Sequence, residues 1–507
     1  MTRKTLKLIT LSISVLLVAL TAGVVVASTQ SKAQLPEYLG SEACIGCHSD
    51  KFQSWESSEY SHGHSENIAH EIKSEADLPA PLPADLAPEI ASELAKAKYY
   101  FHDRFMAPDL KTGELMYMGV EYNPTTKQYV AAPSRKGTSM DANCGGCHAG
   151  RAVQAKAQTE VGVGCESCHG PARDHVLGKG DVSKIVSSTD PTVTCVGCHS
   201  GNNTVAGGTR YPVGYRPGMK LSDVPGFKGV EHSTEGAPMA MHHKGAVGGW
   251  AISGHANATN LLAERGESYL NRQECIKCHS TAAGKMIAEG KTFVASKDMV
   301  NDGVSCVACH DPHGSNNPAS LKMDAQALCM SCHSVARGGA PVAQIGTTRA
   351  PHSPQGDMVQ GISAIGVAPT KGPHSEVGCI ECHMTDANHE FKIVKPADVI
   401  GTTRKDSCSA CHTNSSPEAR DVYLTMWEES INAKVAAVKA DVAIIDAAVK
   451  ANPNVLGTKK ADYENARANY WMVEKDNSKG AHNFEYAIKV ITKAQKDITA
   501  IKTAIGQ

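Results

Sequence analysis

The chain has few aromatic residues for its length. It contains 7 phenylalanines and 4 tryptophans in 507 residues, and Phe, Trp and Tyr together make up 5%. Large planar side chains normally contribute much of the buried surface of a core, so the side chains alone predict a thin core. Basic and acidic residues number 50 and 52. This balance excludes the strongly basic surface typical of nucleic-acid binding, and we expect no nucleic-acid partner.

No cysteine lies outside one repeated unit. The chain has 18 cysteines, and all of them belong to nine Cys-x-x-Cys-His units. An isolated Cys-x-x-Cys pair is compatible with a redox pair, a disulfide or half of a zinc site. Histidine accounts for 23 of the 507 residues, so a histidine follows a given pair by chance roughly once in twenty. Nine such coincidences exclude the disulfide and zinc interpretations.

Each unit has the residues that attach a c-type haem. Its two cysteines can add to the two vinyl groups, and its histidine can bind the iron from the proximal side. We predict nine covalently bound haem c groups, whose porphyrins supply the planar groups that the sequence lacks. The attachment cysteines are Cys44, Cys47, Cys144, Cys147, Cys165, Cys168, Cys195, Cys198, Cys275, Cys278, Cys306, Cys309, Cys329, Cys332, Cys379, Cys382, Cys408 and Cys411. The proximal ligands are His48, His148, His169, His199, His279, His310, His333, His383 and His412.

The first 33 residues have the pattern of an export signal. Basic residues up to Lys7 precede an apolar run over 8–27, and Ser31 to Ala33 form a small-x-small cleavage pattern. This segment is either a cleaved signal peptide or a membrane anchor, since about twenty apolar residues can span a bilayer. Haem attachment to thiols takes place on the exported side, so both signals predict the periplasm or the extracellular face.

The spacing of the units divides the chain into modules. Residues 34–200 hold four units, 201–248 form a linker rich in Gly, Pro, Met and His, 249–412 hold five units, and 413–507 form a helical tail without cysteine. Few period-two runs occur. We expect a mainly α fold with short helices and loops wrapped on haems, long C-terminal helices and little β structure.

The tail has two apolar stripes at helical spacing. The first comprises Val435, Val438, Val442, Ile445 and Val449, and the second comprises Ile491, Ala494, Ile498, Ile501 and Ile505. Steps of three and four residues predict two long helices. The stripes either pack on each other and on the haem core, or they form the seam of a homodimer or trimer.

Some of the other 14 histidines are candidates for the distal side of an iron. His62 and His64 follow the first unit within the run SSEYSHGHSEN. His175 follows His169 after a Gly-Pro turn, which lets it reach back toward a neighbouring iron. Fourteen histidines are enough for every distal position, so counting does not decide whether one iron is open.

The first module resembles a known small cytochrome. The order of its four units, the run GVGCESCHGP and the first unit followed by Trp55 look like the tetrahaem cytochrome that accepts electrons from hydroxylamine oxidoreductase. In that family the first distal histidine lies five residues after the tryptophan, where this chain has Tyr60. The resemblance implies that this ligand has moved to His62 or His64 or has been lost, and that His255, five residues after Trp250, is a distal ligand.

The second module resembles the pentahaem core shared by ammonia-forming cytochrome c nitrite reductase and hydroxylamine oxidoreductase. The order of its units, the run CIECHM and the run NSKGAHN match that pattern. The resemblance implies that His374, His389 and His482 are distal ligands, and His313 is a further candidate. It also implies that the haem on Cys275 is open and catalytic, with His352 in its distal pocket as proton donor.

Two residues depart from the nitrite reductase pattern. Those enzymes usually have C-x-x-C-K at the first haem of the core and a tyrosine soon after the third. This chain has His279 in the first position, and no tyrosine follows His333 in the run CMSCHSVARGG. The departures weaken the interpretation as an enzyme.

Two functions follow. The preferred one is electron transfer in anaerobic-type respiration outside the cytoplasm, between redox protein partners such as a quinol oxidase or other cytochromes. It requires only bis-histidine irons, which exchange electrons. The alternative is an oxidoreductase of hydroxylamine, nitrite or a related small nitrogen or sulfur compound at the Cys275 haem. An extracellular filament is a third hypothesis, for which the sequence has no specific sign.

Overall fold

A computed structural model describes residues 37–59, 61–62, 68–150, 160–190, 192–200, 215–224, 246–295, 302–336 and 344–507. The predicted export segment 1–33, His64 and most of the linker 201–248 lie outside these residues. The described residues fall into two compact units. The first lies within Met1–Cys198, Asn202–Gly229 and Pro312–Gly314, and the second within His199–Gly201, Val230–Asp311 and Ser315–Gln507.

The fold is mainly α, as predicted, with 47% helix and 6% strand. The helices of the N-terminal part are short. They are α1 (Ile45–Ser57), α2 (Pro88–Leu94), α3 (Gly146–His148), α4 (Cys165–His169), α5 (Arg173–Leu177) and α6 (Val196–His199). In the part of the chain that the structure describes, no helix is long and apolar enough to cross a membrane.

One antiparallel sheet lies between the first and second attachment units. Its strands follow each other in sequence order: β1 (His70–Glu71), β2 (Tyr99–Phe101), β3 (Arg104–Pro108), β4 (Leu115–Asn123) and β5 (Gln128–Ala131). One cluster packs Phe105, Val120 and Tyr129 with Leu94 of α2. A second cluster includes Met106 and Met140 and reaches the half-buried Cys144. The sheet therefore forms a wall beside the second attachment unit.

The helices of the second unit fall into a short and a long class. The short helices are α7 (Ala246–Ala251), α8 (Ala258–Ala263), α9 (Glu267–Leu270), α10 (Gln273–His279), α11 (Thr281–Ala288), α12 (Cys306–Cys309), α13 (Ala325–Met330), α14 (Gln355–Gln360) and α15 (Cys379–His383). The long helices are α16 (Pro417–Ala451), α17 (Lys460–Asp476) and α18 (Phe484–Ala504).

The tail contains three helices where the stripes predicted two. The hydroxyl of Ser416 caps α16, Pro417 occupies its first position, and Asn452 ends it before a proline. Between the predicted stripes, α17 contributes Tyr463 and Met472 to the same core. The stripe residues that are buried in this core are Val438, Val442, Ile445, Ile491, Ala494, Ile498 and Ile501. Both stripes therefore pack within the chain.

Candidate haem sites

The attachment units lie in or next to short helices. In α4, α10 and α15 the two cysteines are three residues apart, so their side chains lie on one helix face, and the histidine is the last helical residue. The 18 cysteines all lie in the described part of the chain, where none forms a disulfide bond, and Cys47 and Cys411 are the exposed ones. Two thiols on one face beside an imidazole fit the two-point attachment of a c-type haem.

Among the described residues, at least seven of the proximal histidines face a second histidine ring. The ring centres are 6.0 to 6.3 Å apart in every pair. The pairs are His48–His175, His169–His313, His279–His352, His310–His389, His333–His255, His383–His482 and His412–His374. The other two proximal histidines, His148 and His199, also have contacts with other residues.

This repeated separation has a simple chemical meaning. Ring pairs elsewhere in the described residues vary in separation, from Phe101 and His148 at 4.8 Å to Phe105 and Tyr129 at 6.0 Å, whereas the seven histidine pairs share nearly one value. A metal ion held between two imidazole nitrogens by bonds of about 2.0 Å separates the ring centres by about 6.3 Å. The seven pairs therefore fit the two axial positions of a haem iron.

The hydrogen bonds at the ring nitrogens set the tautomer. Nδ1 of His169 lies 2.6 Å from the carbonyl oxygen of Val186, and Nδ1 of His279 lies 3.0 Å from that of Ala258. Because a carbonyl oxygen only accepts hydrogen bonds, Nδ1 must donate, and Nε2 is left without a proton and able to bind a metal. Main-chain carbonyls accept in the same way from His175, His310, His374, His383 and His389.

Burial keeps several of these imidazoles neutral. Burial, together with the neighbouring His333, lowers the pKa of His255 to about 4. The pKa values of His333 and His389 are also lowered, mainly by burial. Neutral imidazole is the form that binds a metal, so these rings are in the ligating form at neutral pH.

His482 differs in its hydrogen-bond partner from the seven paired histidines that donate to main-chain carbonyls. Its Nδ1 lies 2.6 Å from a carboxylate oxygen of Asp476. Burial lowers the pKa of His482, but the hydrogen bond to Asp476 and its negative charge outweigh burial, so the pKa is raised overall. The ring therefore has a charged second partner rather than a main-chain carbonyl.

Six of the predicted distal histidines occupy these paired positions: His175, His255, His313, His374, His389 and His482. Nδ1 of His62 lies 3.2 Å from the carbonyl oxygen of Pro312, and His64 lies outside the described residues. We expected His352 to be a pocket acid beside an open iron. Its ring instead lies opposite His279 at 6.0 Å, on the distal side that was to be open.

Cysteines of different units contact each other. The thiol of Cys44, in the first attachment unit, contacts the thiol of Cys165, in the third. Further pairs of thiols in contact are Cys147–Cys198, Cys278–Cys332 and Cys329–Cys379. At longer range, a cysteine of a neighbouring attachment unit adds to the effect of burial in raising the pKa of a thiol. Cys195 acts in this way on Cys168, Cys332 on Cys309 and Cys411 on Cys382. Within each of the two compact units of the fold, the attachment sites that contact each other therefore form a continuous series. Sequence spacing does not reveal this order.

An internal repeat connects the third and sixth attachment units, and we missed it in the sequence. The runs GVGCESCHGP and GVSCVACHDP share four residues at matching positions, a glycine and a valine before the cysteines and a histidine and a proline after them. The indole N–H of Trp55 donates to the carbonyl of Val163 at 3.0 Å, and that of Trp250 donates to the carbonyl of Val304 at 2.7 Å. Each carbonyl lies two residues before an attachment cysteine. The repeat therefore includes both the motif and the tryptophan that supports it.

The glycine that opens each repeat has a positive φ, at 120° for Gly162 and 51° for Gly303. A Cβ atom on Gly303 would lie 2.4 Å from the carbonyl oxygen of Ala256 and 2.6 Å from that of His255. Only glycine allows this approach. Gly303 therefore holds the backbone of the distal histidine His255 against the loop of the sixth unit.

Glu166, inside the third unit, has a buried carboxylate. It is 1% exposed and accepts hydrogen bonds from the main-chain N–H groups of Leu39, Gly40 and Ala172 at 2.7 to 3.1 Å. These hydrogen bonds connect the residues before the first attachment unit, Leu39 and Gly40, to Ala172 in the loop after the third attachment unit. Three donors on one carboxylate offset much of the cost of burying its charge.

Three protein-family models match parts of the chain. The doubled CXXCH motif matches residues 298–338, the cytochrome c552 model matches 370–507, and the cytochrome c554 and c-prime model matches both 118–170 and 240–311. The two stretches of the last model end directly after the histidines of the internal repeat. They therefore support the repeat independently of its hydrogen bonds.

Known proteins with similarity to this chain are also multihaem cytochromes. The multiheme cytochrome MtrA of Shewanella baltica (strain OS185) is 24% identical over 194 residues, which cover 37% of this chain and 47% of MtrA, about half of that relative. The outer cell wall cytochrome OcwA has a TM-score of 0.69 and 27% identity, with 91% of this chain and 100% of OcwA covered. The undecaheme cytochrome from the S-layer of Carboxydothermus ferrireducens has a TM-score of 0.55. At 18% identity, with 91% of this chain and 69% of that chain covered, its likeness concerns the fold alone.

Motifs, geometry and comparisons agree on one class. The chain is a multihaem c-type cytochrome of electron transport. The narrower resemblance to hydroxylamine oxidoreductase and nitrite reductase stays a prediction.

Proposed function

We propose that the chain is a nine-haem electron-transfer cytochrome that works outside the cytoplasm in anaerobic-type respiration. The seven histidine pairs with a common separation carry this proposal. Bound haem iron supplies one-electron exchange. With haem bound, the two imidazoles of each pair would hold the iron and exclude other ligands, which favours electron transfer over chemistry on a substrate.

The contacts between cysteines support an order for the relay. In the first unit they connect the attachment site of Cys44 to that of Cys165, then Cys195, then Cys144. In the second unit they connect Cys275 to Cys329, then Cys379, then Cys408, with Cys306 beside Cys329. Short steps between neighbouring sites are what a relay requires.

The exposed cysteines favour the two ends of the chain as exchange points. Cys47 belongs to the first attachment unit and Cys411 to the last, and both are exposed, whereas the other cysteines are half-buried. We infer that redox partners, such as a quinol oxidase or other cytochromes, exchange electrons at these sites. The predicted export segment and the similarity to the outer cell wall cytochrome OcwA support a place in the periplasm or on the extracellular face.

The enzyme alternative is not favoured. It needs an exchangeable position at the Cys275 haem, and the ring of His352 lies opposite His279 at the same separation as in the other pairs. We therefore assign His352 as an axial ligand and not as a proton donor.

A homo-oligomer through the C-terminal helices also belongs to the proposal. The predicted stripes are used inside the chain, so the contact would lie on the outward face of α16, where Val422, Tyr423 and Met426 are 57%, 62% and 58% exposed. Large apolar side chains at such exposure favour a partner surface. Light scattering of the wild type and of Met426→Glu tests this, and a monomeric wild type would contradict it.

The spectrum of the oxidised protein tests the main proposal. We expect nine haems per chain by intact mass, and at least seven of them low-spin by electron paramagnetic resonance. Nitrite, hydroxylamine and cyanide should leave those seven signals unchanged. A high-spin fraction larger than two haems per chain would contradict the proposed ligand set.

A further inference from the structure

Asp476 is placed to act on the iron site of the eighth attachment unit. It is the last residue of α17 and is 4% exposed. One carboxylate oxygen lies 2.6 Å from Nδ1 of His482, whose ring faces His383 at 6.2 Å. The second oxygen accepts hydrogen bonds from the hydroxyl and the main-chain N–H of Ser478. The carboxylate is thus held in one orientation against the ring.

Seven other histidines of these pairs have neutral partners at Nδ1. Main-chain carbonyls accept from Nδ1 of His175, His169, His279, His310, His374, His383 and His389. Among the ion pairs of the described residues, His482 is the one partner of Asp476. Its charge is therefore directed at the ring and is not neutralised there by a lysine or an arginine.

The two kinds of partner have different effects on an iron beyond the ring. A carboxylate hydrogen-bonded to Nδ1–H draws the proton toward itself and makes the imidazole a stronger electron donor. A negative charge in a buried setting also acts over a longer distance than in water. Ferric iron carries one more positive charge than ferrous iron, so both effects favour the ferric state and lower the reduction potential.

We propose that Asp476 is a positioning residue that makes the haem on Cys379 and Cys382 the lowest-potential haem among the paired sites of the second unit. This inference rests on the proposed electron-transfer function and on the His383–His482 ligand pair. The site lies between those of Cys329 and Cys408 in the series of cysteine contacts. Asp476 thereby lowers the reduction potential at one position within the relay, so the haem at this position is reduced last and oxidised first.

Asp476→Asn tests the proposal, because the amide has the same shape and no charge. Spectroelectrochemical titration of the wild-type holoprotein should resolve a one-electron wave at low potential, and the variant should move that wave upward. A tenfold change in the ferric to ferrous preference corresponds to a shift of about 59 mV, and we expect at least this. Asp497→Asn, which removes a carboxylate paired with Lys493 on α18, is the matched control and should move no wave.

A double variant assigns the wave to its haem. His482→Met changes the ligand itself, and methionine ligation raises the potential, so the same wave should disappear from the low end. In the His482→Met background, Asp476→Asn should add no further shift, because no imidazole remains to hydrogen-bond. Additive shifts would show that Asp476 does not act through His482 and would overturn the proposal.

The remaining outcomes are separable. If Asp476→Asn keeps nine haems with the low-spin signals of the wild type and every wave stays in place, the tuning role is excluded while the electron-transfer function stands. If the wild type shows high-spin iron at the sites of the histidine pairs, the proposed function itself fails. Should Asp476→Asn lose haem, Asp476→Glu keeps the charge and must restore the low-potential wave, and its failure to do so counts against the proposal.

Discussion

His279 and His352 face each other with ring centres 6.0 Å apart and planes inclined by 30°. They are the pair in which the structure differs most from the expectation based on enzyme families, where this distal side is open. The chain brings His352 there directly ahead of α14 (Gln355–Gln360), in a loop where Ser353 has a positive φ of 56°. The position of His352 thus distinguishes an electron-transfer site from a candidate catalytic site that is open on this side.

His352→Ala should convert one haem of the protein from low-spin to high-spin. The smaller side chain leaves the iron opposite His279 with one open position, which cyanide or nitrite can then occupy. Electron paramagnetic resonance and cyanide titration measure the change, and we expect one new binding site per chain. His102→Asn is the control, because His102 packs on Phe101 and asparagine tolerates its positive φ. An unchanged low-spin spectrum in His352→Ala would remove this residue from the ligand set.

Glu166→Gln should destabilise the first unit of the fold. The amide cannot accept from the three main-chain donors as the carboxylate does, and it brings an N–H₂ group against N–H groups. Hydrogen bonds to charged groups contribute about 1.5–3 kcal/mol each, so we expect a loss of about 2–3 kcal/mol in the free energy of unfolding. Denaturant titration monitored at the haem absorption measures it. Glu42→Gln, in the exposed part of the same segment, should leave the midpoint unchanged.

The sequence predicts local features well, because the ends of a helix and its buried face depend on residues that are close together in the chain. The helix α16 begins after a serine cap at Ser416 and ends before Pro453, as capping rules indicate. The buried stripe of α17, Tyr463, Ala466, Tyr470 and Val473, also has steps of three and four residues, so a signal for the third tail helix was available. We overlooked it because the stripe contains alanine and tyrosine rather than branched aliphatic residues.

Non-local pairings could not be predicted. The choice of partner for each iron depends on chain folding: His175 follows the third attachment unit but lies opposite His48 of the first. The sheet has the same origin, because its first strand pairs His70 with Tyr100 across a proline-rich segment and a helix. The spacing of the histidines in the sequence identifies the candidate ligands, whereas tertiary packing determines which two rings lie at the same site.

Trp55→Phe and Trp250→Phe should have matching effects on the two copies of the internal repeat. Each substitution keeps an aromatic ring and removes the N–H that donates to Val163 or Val304. A buried carbonyl without its donor costs about 1–3 kcal/mol. We expect Trp55→Phe to lower protection from hydrogen exchange around Cys165, and Trp250→Phe to do so around Cys306. A loss of protection spread evenly over both regions in either variant would contradict a local supporting role.

Acid should weaken the packing of α2 on the sheet. The hydrogen bond from Lys136, followed by the N–H of Gly119, holds the pKa of Glu93 below its usual range. Because the folded-state pKa is the lower one, the stabilisation is present above about pH 4.3, the usual pKa of glutamate, and is lost as pH falls through the folded value. Lys136 is largely exposed, so the ion pair contributes about 0.3–1 kcal/mol.

Urea midpoints of the wild type and of Glu93→Gln, measured between pH 3 and pH 6, check this prediction. The two proteins should differ at pH 6 and converge at pH 3. A difference that stays constant over the range would show that the effect of the substitution does not come from the charge of Glu93.

A chain made without haem attachment should keep the helices α16, α17 and α18 and lose most other structure. Their core contains Ile445, Tyr486, Ile498 and other apolar residues but no cysteine, whereas the clusters around Cys144 and Cys275 include attachment residues. The tail therefore has an apolar core of its own, and the short helices depend on the porphyrins for burial. Hydrogen exchange read by mass spectrometry should find protected amides in α16–α18 and rapid exchange in α3–α6. Ile498→Ala should cost about 2–5 kcal/mol and reduce that protection, while Ile444→Ala on the exposed face of α16 should not. Protection in the short helices without haem would show that cofactors do not replace the missing aromatic core.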